Sequence, residues 1–233
     1  MEVDQSHILL IRTKLHRPPV AAVHVHRPRL LSQLNKHLHR PLTLVSAPAG
    51  YGKSTLISCW INDCDLPSAW LSIEESDNDL RLFLAYFLAS VQTVFPQVGK
   101  ETEFFLKADE LPPIKVLTGC LVNELDEIEQ DFILAIDDLH EIHNTVIYEF
   151  LEEILKHPAH AMHLVLMGRI DPPLSLARLR AKGQLTEIRM RDLRFSQEEA
   201  TEFMQQMLET TVEDSLAAAF EEKTEGWVTG LHL

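Results

Sequence analysis

Acidic residues are missing from one long stretch of this chain: between Asp4 and Asp63 there is no Asp or Glu. The same stretch carries Arg12, Lys14, Arg17, Arg27, Arg29, Lys36, Arg40 and Lys53, inside a chain whose net charge is −14. So acidic a whole is a poor general binder of nucleic acid, and a DNA-binding arm is the weaker reading of the basic stretch. A local cationic field around a phosphate ligand explains it, and a solvated basic strip paired with acidic surface elsewhere explains it equally well. Cysteine is scarce too. Cys59, Cys64 and Cys120 form no Cys-x-x-Cys, so neither a disulfide framework nor a zinc site is indicated. A reducing, cytoplasmic setting is the simplest one. Ile8-Leu-Leu-Ile11 is too short for a signal-peptide core or a membrane span, so no membrane partner is expected. Repeats and low-complexity tracts are absent. What is left is ordinary globular composition, 45% hydrophobic and 24% charged over 233 residues. That is enough for one large core or one domain with an appendage.

What is present begins with Leu42-Thr-Leu-Val-Ser-Ala-Pro-Ala-Gly-Tyr-Gly-Lys-Ser-Thr-Leu-Ile57. An apolar run reads as a buried strand, breaks at 47–52, and resumes at helical spacing with Leu56, Ile57, Trp60 and Ile61. Strand, glycine-bearing loop, Lys-Ser and helix is the layout of a phosphate-binding loop. Its glycines let backbone N–H groups turn inward, and the helix start adds partial positive charge. Ala49, Gly50, Tyr51, Gly52, Lys53, Ser54 and Thr55 are the expected nucleotide-binding residues. Lys53 would reach the β- and γ-phosphates and the Ser54 hydroxyl would ligate Mg²⁺. Ala47 stands where the strict pattern has its first glycine, which is tolerable only if its φ is negative.

Taken in order, 1–26 reads as an extended N-terminal lead-in with Pro18-Pro19 and scattered histidines. A short amphipathic helix is expected over 27–38, then the strand and loop just described. Strands are expected at 69–73, 132–136, 163–167 and 185–190, and helices at 80–94, 114–128, 145–156 and 174–181. Residues 95–112 are poorly patterned and read as loop with some helix. Ser196-x-x-Glu199 is a capping box starting a helix to about 208, and another helix is expected over 212–223. The alternation implies an α/β fold, a five-stranded parallel sheet flanked by helices, and the strand order expected for it is 2-3-4-1-5. A nucleotide-binding domain is thus expected over 27–195. Over 196–233 the start of a small C-terminal helical lid domain is expected, in a chain that reads as a fragment of a longer protein.

Phe132–Asp138 is the second chemical signal, an apolar run ending in two acids. A carboxylate at such a strand tip holds Mg²⁺ through water, the role given to Asp137, while a neighbour polarises the attacking water, the role given to Asp138. Paired acids closing a strand are also an ordinary turn. In the expected strand order Arg169 would face the γ-phosphate and sense it; its bland reading is a surface arginine. Without an Asn-Lys-x-Asp guanine reader, ATP is favoured over GTP. His157, His160 and His163 are spaced by three, but no Cys or acid completes a metal set. His24, His26, His37 and His39 read as exposed, and His140 as a neighbour of the acids rather than a base. A P-loop kinase or other phosphotransferase acting on a small molecule is the alternative function.

Together these motifs resemble a known family. Arg27-Pro-Arg-Leu-Leu, the loop, Ala69-Trp-Leu-Ser-Ile, Asp77-Asn-Asp, Ile136-Asp-Asp-Leu-His, the run opening at Arg169, Leu193-Arg-Phe-Ser and Thr224-Glu-Gly-Trp occur in order. The chain is similar in these to the MalT-like, large ATP-binding regulators of the LuxR type, within the STAND class of P-loop ATPases. The resemblance covers about 13–233 and implies a nucleotide switch: ADP at rest, and ATP with inducer favouring self-association and transcription activation. Inducer and DNA would be contacted only through domains outside this chain. It further implies that Arg27 contacts the nucleotide, that alanine is usual at position 47, and that ATP is hydrolysed slowly. Val228 departs from the proline that often follows Gly-Trp.

Overall fold

A strand whose successive side chains are all apolar is stable only inside a sheet covered on both faces. In the computed structural model, which describes residues 9–20 and 24–208, there are five strands: β1 (Leu42–Ser46), β2 (Ser68–Ser72), β3 (Phe132–Asp137), β4 (Met162–Gly168) and β5 (Leu185–Arg189). Of these, β1, β3 and β4 are buried along their whole length, and the edge strands β2 and β5 only in part. They form one sheet of order β2-β3-β4-β1-β5 with every pairing parallel. The order expected from sequence is the order found.

Period-two alternation sorts the strand residues between two cores. Leu134, Ile136, Leu164 and Leu166 face the larger core. It is closed by α3 (Leu80–Gln92), α4 (Lys100–Lys107), α5 (Ile114–Asp126), α6 (Thr145–Lys156) and α7 (Leu176–Ala181). Ile133, Ala135, Val165 and Met167 face the other way, against α1 (Pro28–Lys36) and α2 (Lys53–Asp63). The chain then turns through α8 (Met190–Leu193) into α9 (Gln197–Leu208). The region 95–112, expected as loop with some helix, holds α4. Only two of its residues, Thr102 and Leu106, are buried, which explains its faint periodicity. The helix expected over 212–223 and the Gly226-Trp227 motif lie outside the described residues.

The N-terminal lead-in differs from a plain extended arm. Arg12–Leu15 make a turn of 3-10 helix, and Lys14, 5% exposed, forms an ion pair with the fully buried Asp77. The Lys14 ammonium also lies 4.5 Å over the Tyr86 ring, whose hydroxyl accepts from the Ile11 N–H at 3.0 Å. The Asp77 carboxylate in turn closes the capping box of the 3-10 turn Glu75–Asn78. A buried charge is tolerable only when paired, so the lead-in is tied to α3 by a contact that no local pattern announces.

Candidate functional site

The parallel pairing brings the C-terminal tips of β1, β3 and β4 together, the usual place for a ligand in such sheets. The loop after β1 turns through Gly50 and Gly52, at φ of 80° and 74°. Gly52 is the N-cap of α2, whose first intrahelical bond runs from the Leu56 N–H to the Gly52 carbonyl at 2.8 Å. The N–H groups of the first turn of a helix have no intrahelical partner, so the loop presents donors and a positive dipole end to one spot. Ala47 has the negative φ required of it, and its N–H donates to the Gly168 carbonyl at 3.2 Å. The loop is thereby stapled to the tip of β4.

Lys53 is the first residue of α2 and is 7% exposed. Its ammonium donates to the Ala47 carbonyl at 2.9 Å and to that of Pro48 at 3.0 Å. Burial lowers its pKa, and Arg169 adds to that, against the opposing charges of Asp137 and Asp138. The ammonium has a third proton to give and two weak partners to exchange. At the tip of β3, Asp137 is 4% exposed. It accepts from the Asp138 N–H at 2.9 Å and is hydrogen-bonded to the Ser54 side chain. Burial raises its pKa, with the charge of Asp138 adding, in spite of Ser54 and Lys53. A carboxylate held above its ordinary range is short of positive charge, and this one touches a hydroxyl on the phosphate loop. That donor set fits a hard divalent cation.

Asp138 has φ 56° and ψ 32°, the one non-glycine residue in the left-handed region among those described. This costs an ordinary L-residue about 1–2 kcal/mol, and the Asp138 side chain is 48% exposed. The His140 imidazole is only 10% exposed, and neither ring nitrogen makes a hydrogen bond. Carboxylate oxygens of Glu141 and Asp138 lie 3.2 and 3.8 Å away without bonding geometry. Burial and the neighbouring Arg169 lower the His140 pKa. A Cβ at Gly168 would lie 3.3 Å from the Ile170 carbonyl and 3.6 Å from the His140 N–H. The tips of β3 and β4 are thus packed tightly enough to set Arg169 beside the acids.

A cavity of about 530 Å³ opens over this surface, within the ordinary range for small-molecule sites. Ala49, Gly50, Gly52, Lys53, Ser54, Thr55, Asp138, Arg169 and Arg27 all line it. Tyr51 does not; its side chain packs against the α1/α2 core, so only its backbone is placed to serve a ligand. Arg27 is on the wall, but its guanidinium is committed to the Glu199 carboxylate at 3.1 Å. Sequence reasoning missed the rest of the wall. Val20, His24 and Val25 come from the lead-in, and Phe195 and Phe203 from the entry to α9 and α9 itself. His24 is half-buried rather than exposed. The apolar stretch Val20-Ala-Ala-Val23 with Val25 just beyond it was the available signal.

The histidine triplet separates. His163 is buried and bonded to Thr43 and Arg40, while His160 pairs with Asp126 at 2.9 Å. No group of three or more metal-ligating side chains occurs among the described residues, and no helix there is long and apolar enough to cross a membrane.

No family model matches the chain. It is 35% identical over 226 residues to the HTH-type transcriptional regulator MalT of Yersinia enterocolitica and to that of Serratia proteamaculans, covering 97% of this chain and 25% of each relative. The chain therefore spans about a quarter of the length of these relatives. Its structure is similar to that of a signal transduction ATPase with numerous domains (STAND) carrying a tetratricopeptide repeat sensor, from Pyrococcus horikoshii. The TM-score is 0.67 at 16% identity, over 92% of this chain and 30% of that one. It is similar also to Cdc6p of Pyrobaculum aerophilum, with a TM-score of 0.53 at 17% identity over 87% of this chain and 54% of that one. At such identities the likeness is one of fold, and the fold is that of the P-loop NTPases.

Proposed function

We propose that this chain, a homologue of the MalT-type transcriptional regulators over about a quarter of their length, is the ATP-binding, slowly hydrolysing switch of such a regulator. The observation that carries the reading is that the phosphate loop, Lys53 and Ser54 line one cavity together with Asp138 and Arg169, with the buried Asp137 hydrogen-bonded to Ser54 behind that lining.

Lys53 exchanges its bonds to Ala47 and Pro48 for phosphate oxygens, a gain because the acceptor becomes an anion in place of a neutral carbonyl. Ser54 and Asp137 would hold a magnesium ion, which would supply charge against the phosphates. Asp138, half exposed on the wall, accepts a proton from an attacking water. Arg169 reads whether the terminal phosphate is there. The apolar and aromatic wall of Val20, Val25, Phe195 and Phe203 takes the nucleoside end.

Moving a two-state switch from 1:99 to 99:1 needs about 5.5 kcal/mol of differential binding. A terminal phosphate held by Lys53, Arg169 and the cation is a source of that size, and hydrolysis removes it. Slow turnover is then part of the function rather than a defect. Inducer and DNA are engaged by parts of the regulator outside the matched quarter, and the ATP state favours self-association.

Calorimetry with Mg-ATP and Mg-GTP tests the reading. One ATP per chain, weaker GTP, and both weakened about 10–100-fold in Lys53→Ala are expected. Wild-type protein that ignores both nucleotides would sink it.

A further inference from the structure

Glu199 does more than cap a helix. In the capping box its Oε2 accepts from the Ser196 N–H at 3.0 Å, while its own N–H donates to the Ser196 hydroxyl at 3.2 Å. A capping carboxylate needs no burial, since its partners lie on the helix end. Yet Glu199 is 8% exposed. Two arginines converge on it from the other side of the cavity mouth. The Arg27 Nη2 donates to its Oε2 at 3.1 Å and the Arg29 Nε to its Oε1 at 3.2 Å. Both guanidinium groups also reach the Arg194 carbonyl at 2.9 Å. These 170-odd residues of separation are bridged by one carboxylate.

The part of the cavity wall served by this clasp belongs to neither main core. Val25, Phe195, Ala200 and Phe203 form a small cluster of their own. The two rings stand edge to face with centroids 5.6 Å apart, and the Arg27 guanidinium lies 5.0 Å over the Phe195 ring. Arg27, Val25, Phe195 and Phe203 all line the cavity, and Glu199 does not.

We infer that Glu199 is a positioning residue for the nucleoside end of the ligand: through Arg27 and Arg29 it holds the aromatic wall of α9 against α1. The inference rests on the nucleotide reading above and goes beyond it in assigning this role to a residue that touches no ligand. Linkage then makes the effect reciprocal. A ligand that fills the wall tightens the docking of α9, and a ligand consisting only of phosphates leaves that docking unchanged. The clasp is thereby the route from an occupied site to the helical segment that follows.

The test compares two ligands on the 233-residue chain, Mg-ATP and inorganic tripolyphosphate, which has the phosphates and no nucleoside. Glu199→Gln is expected to weaken ATP at least tenfold and to leave tripolyphosphate within about twofold of wild type. Arg27→Lys, which keeps the charge but loses the fork that serves both Glu199 and the Arg194 carbonyl, should show the same selective loss. Hydrogen exchange gives a second reading. ATP should slow the amides of 197–207 in wild type and not in Glu199→Gln, and tripolyphosphate in neither. A Glu199→Gln chain that binds ATP like wild type, or loses both ligands in parallel, overturns the inference and leaves the nucleotide reading standing. Failure of the wild-type chain to bind ATP falls on that reading instead.

Discussion

Two histidines, at opposite ends of the same sheet, show how differently its two rims are built. His163, at the start of β4, is 4% exposed and has a partner for each ring nitrogen. Its Nδ1 lies 2.6 Å from the Arg40 carbonyl and its Nε2 3.0 Å from the Thr43 hydroxyl. A carbonyl only accepts, so Nδ1 carries the proton and Nε2 accepts from Thr43. The ring is neutral and satisfied, and burial takes its pKa down to about 4 against the opposing pull of the Arg40 and Leu38 backbone. His140, just beyond β3, is half-buried, and neither of its ring nitrogens makes a hydrogen bond. Around it Asp137 titrates high, Lys53 titrates low, and Asp138 holds a left-handed backbone. One rim closes its polar groups on each other. The other leaves them under-compensated, which is where a charged ligand has most to offer.

Substitutions sharpen the contrast. The largest expected effect is on turnover. Asp138→Asn should slow phosphate release by about 10²–10⁴, the range for a lost general base, while ATP affinity stays within a few-fold. Equal loss of both would take the hydrolytic role away from Asp138.

Next comes the lead-in. Lys14→Ala strands the buried Asp77 carboxylate and should cost about 3–5 kcal/mol in urea unfolding, as breaking one side of a buried pair does. A change under 1 kcal/mol would mean that water replaces the ammonium.

At the active rim, Lys53→Ala should weaken ATP by about 10–100-fold, from bonds to charged groups of roughly 1.5–3 kcal/mol. Its thermal stability should hold or rise, because a desolvated cation is removed. A fall in stability matching the fall in affinity would erase the distinction between the rims.

At the closed rim the expected effect is the pH response of His163. A histidine with a depressed folded pKa contributes stability above its unfolded value near 6.5 and loses it as pH falls toward the folded value, about 4. The loss through this window is about 3 kcal/mol, at 1.36 kcal/mol per unit. His163→Gln should flatten the dependence when unfolding free energy is measured at pH 7.5 and 4.5. An unchanged slope would place the titration on another group.

Much of the architecture was legible before any coordinates. Phe132–Ile136 is apolar without interruption and could only be an internal strand, and Thr145–Lys156 runs as α6 over the expected residues. The loop from Ala47 to Lys53 was legible because its chemistry is local, a short spacing of glycine, lysine and hydroxyl. Lys14, Glu199 and Phe203 were not, since each acts through a partner 60 or more residues away in the chain. Arg27 was expected at the nucleotide; its guanidinium instead bonds Glu199 from a place on the cavity wall, and no spacing rule announces that choice.

From its residues alone this chain declared which segments are buried on two faces and which loop is shaped for phosphate. Periodicity and short motifs carry that information because they depend on neighbours within a turn or two. Only the folded molecule decided which charges meet. Lys14 finds Asp77, Arg27 finds Glu199, and the His140 ring finds no hydrogen bond, because the cost of burying a charge or a ring nitrogen is settled by whatever the tertiary structure sets beside it.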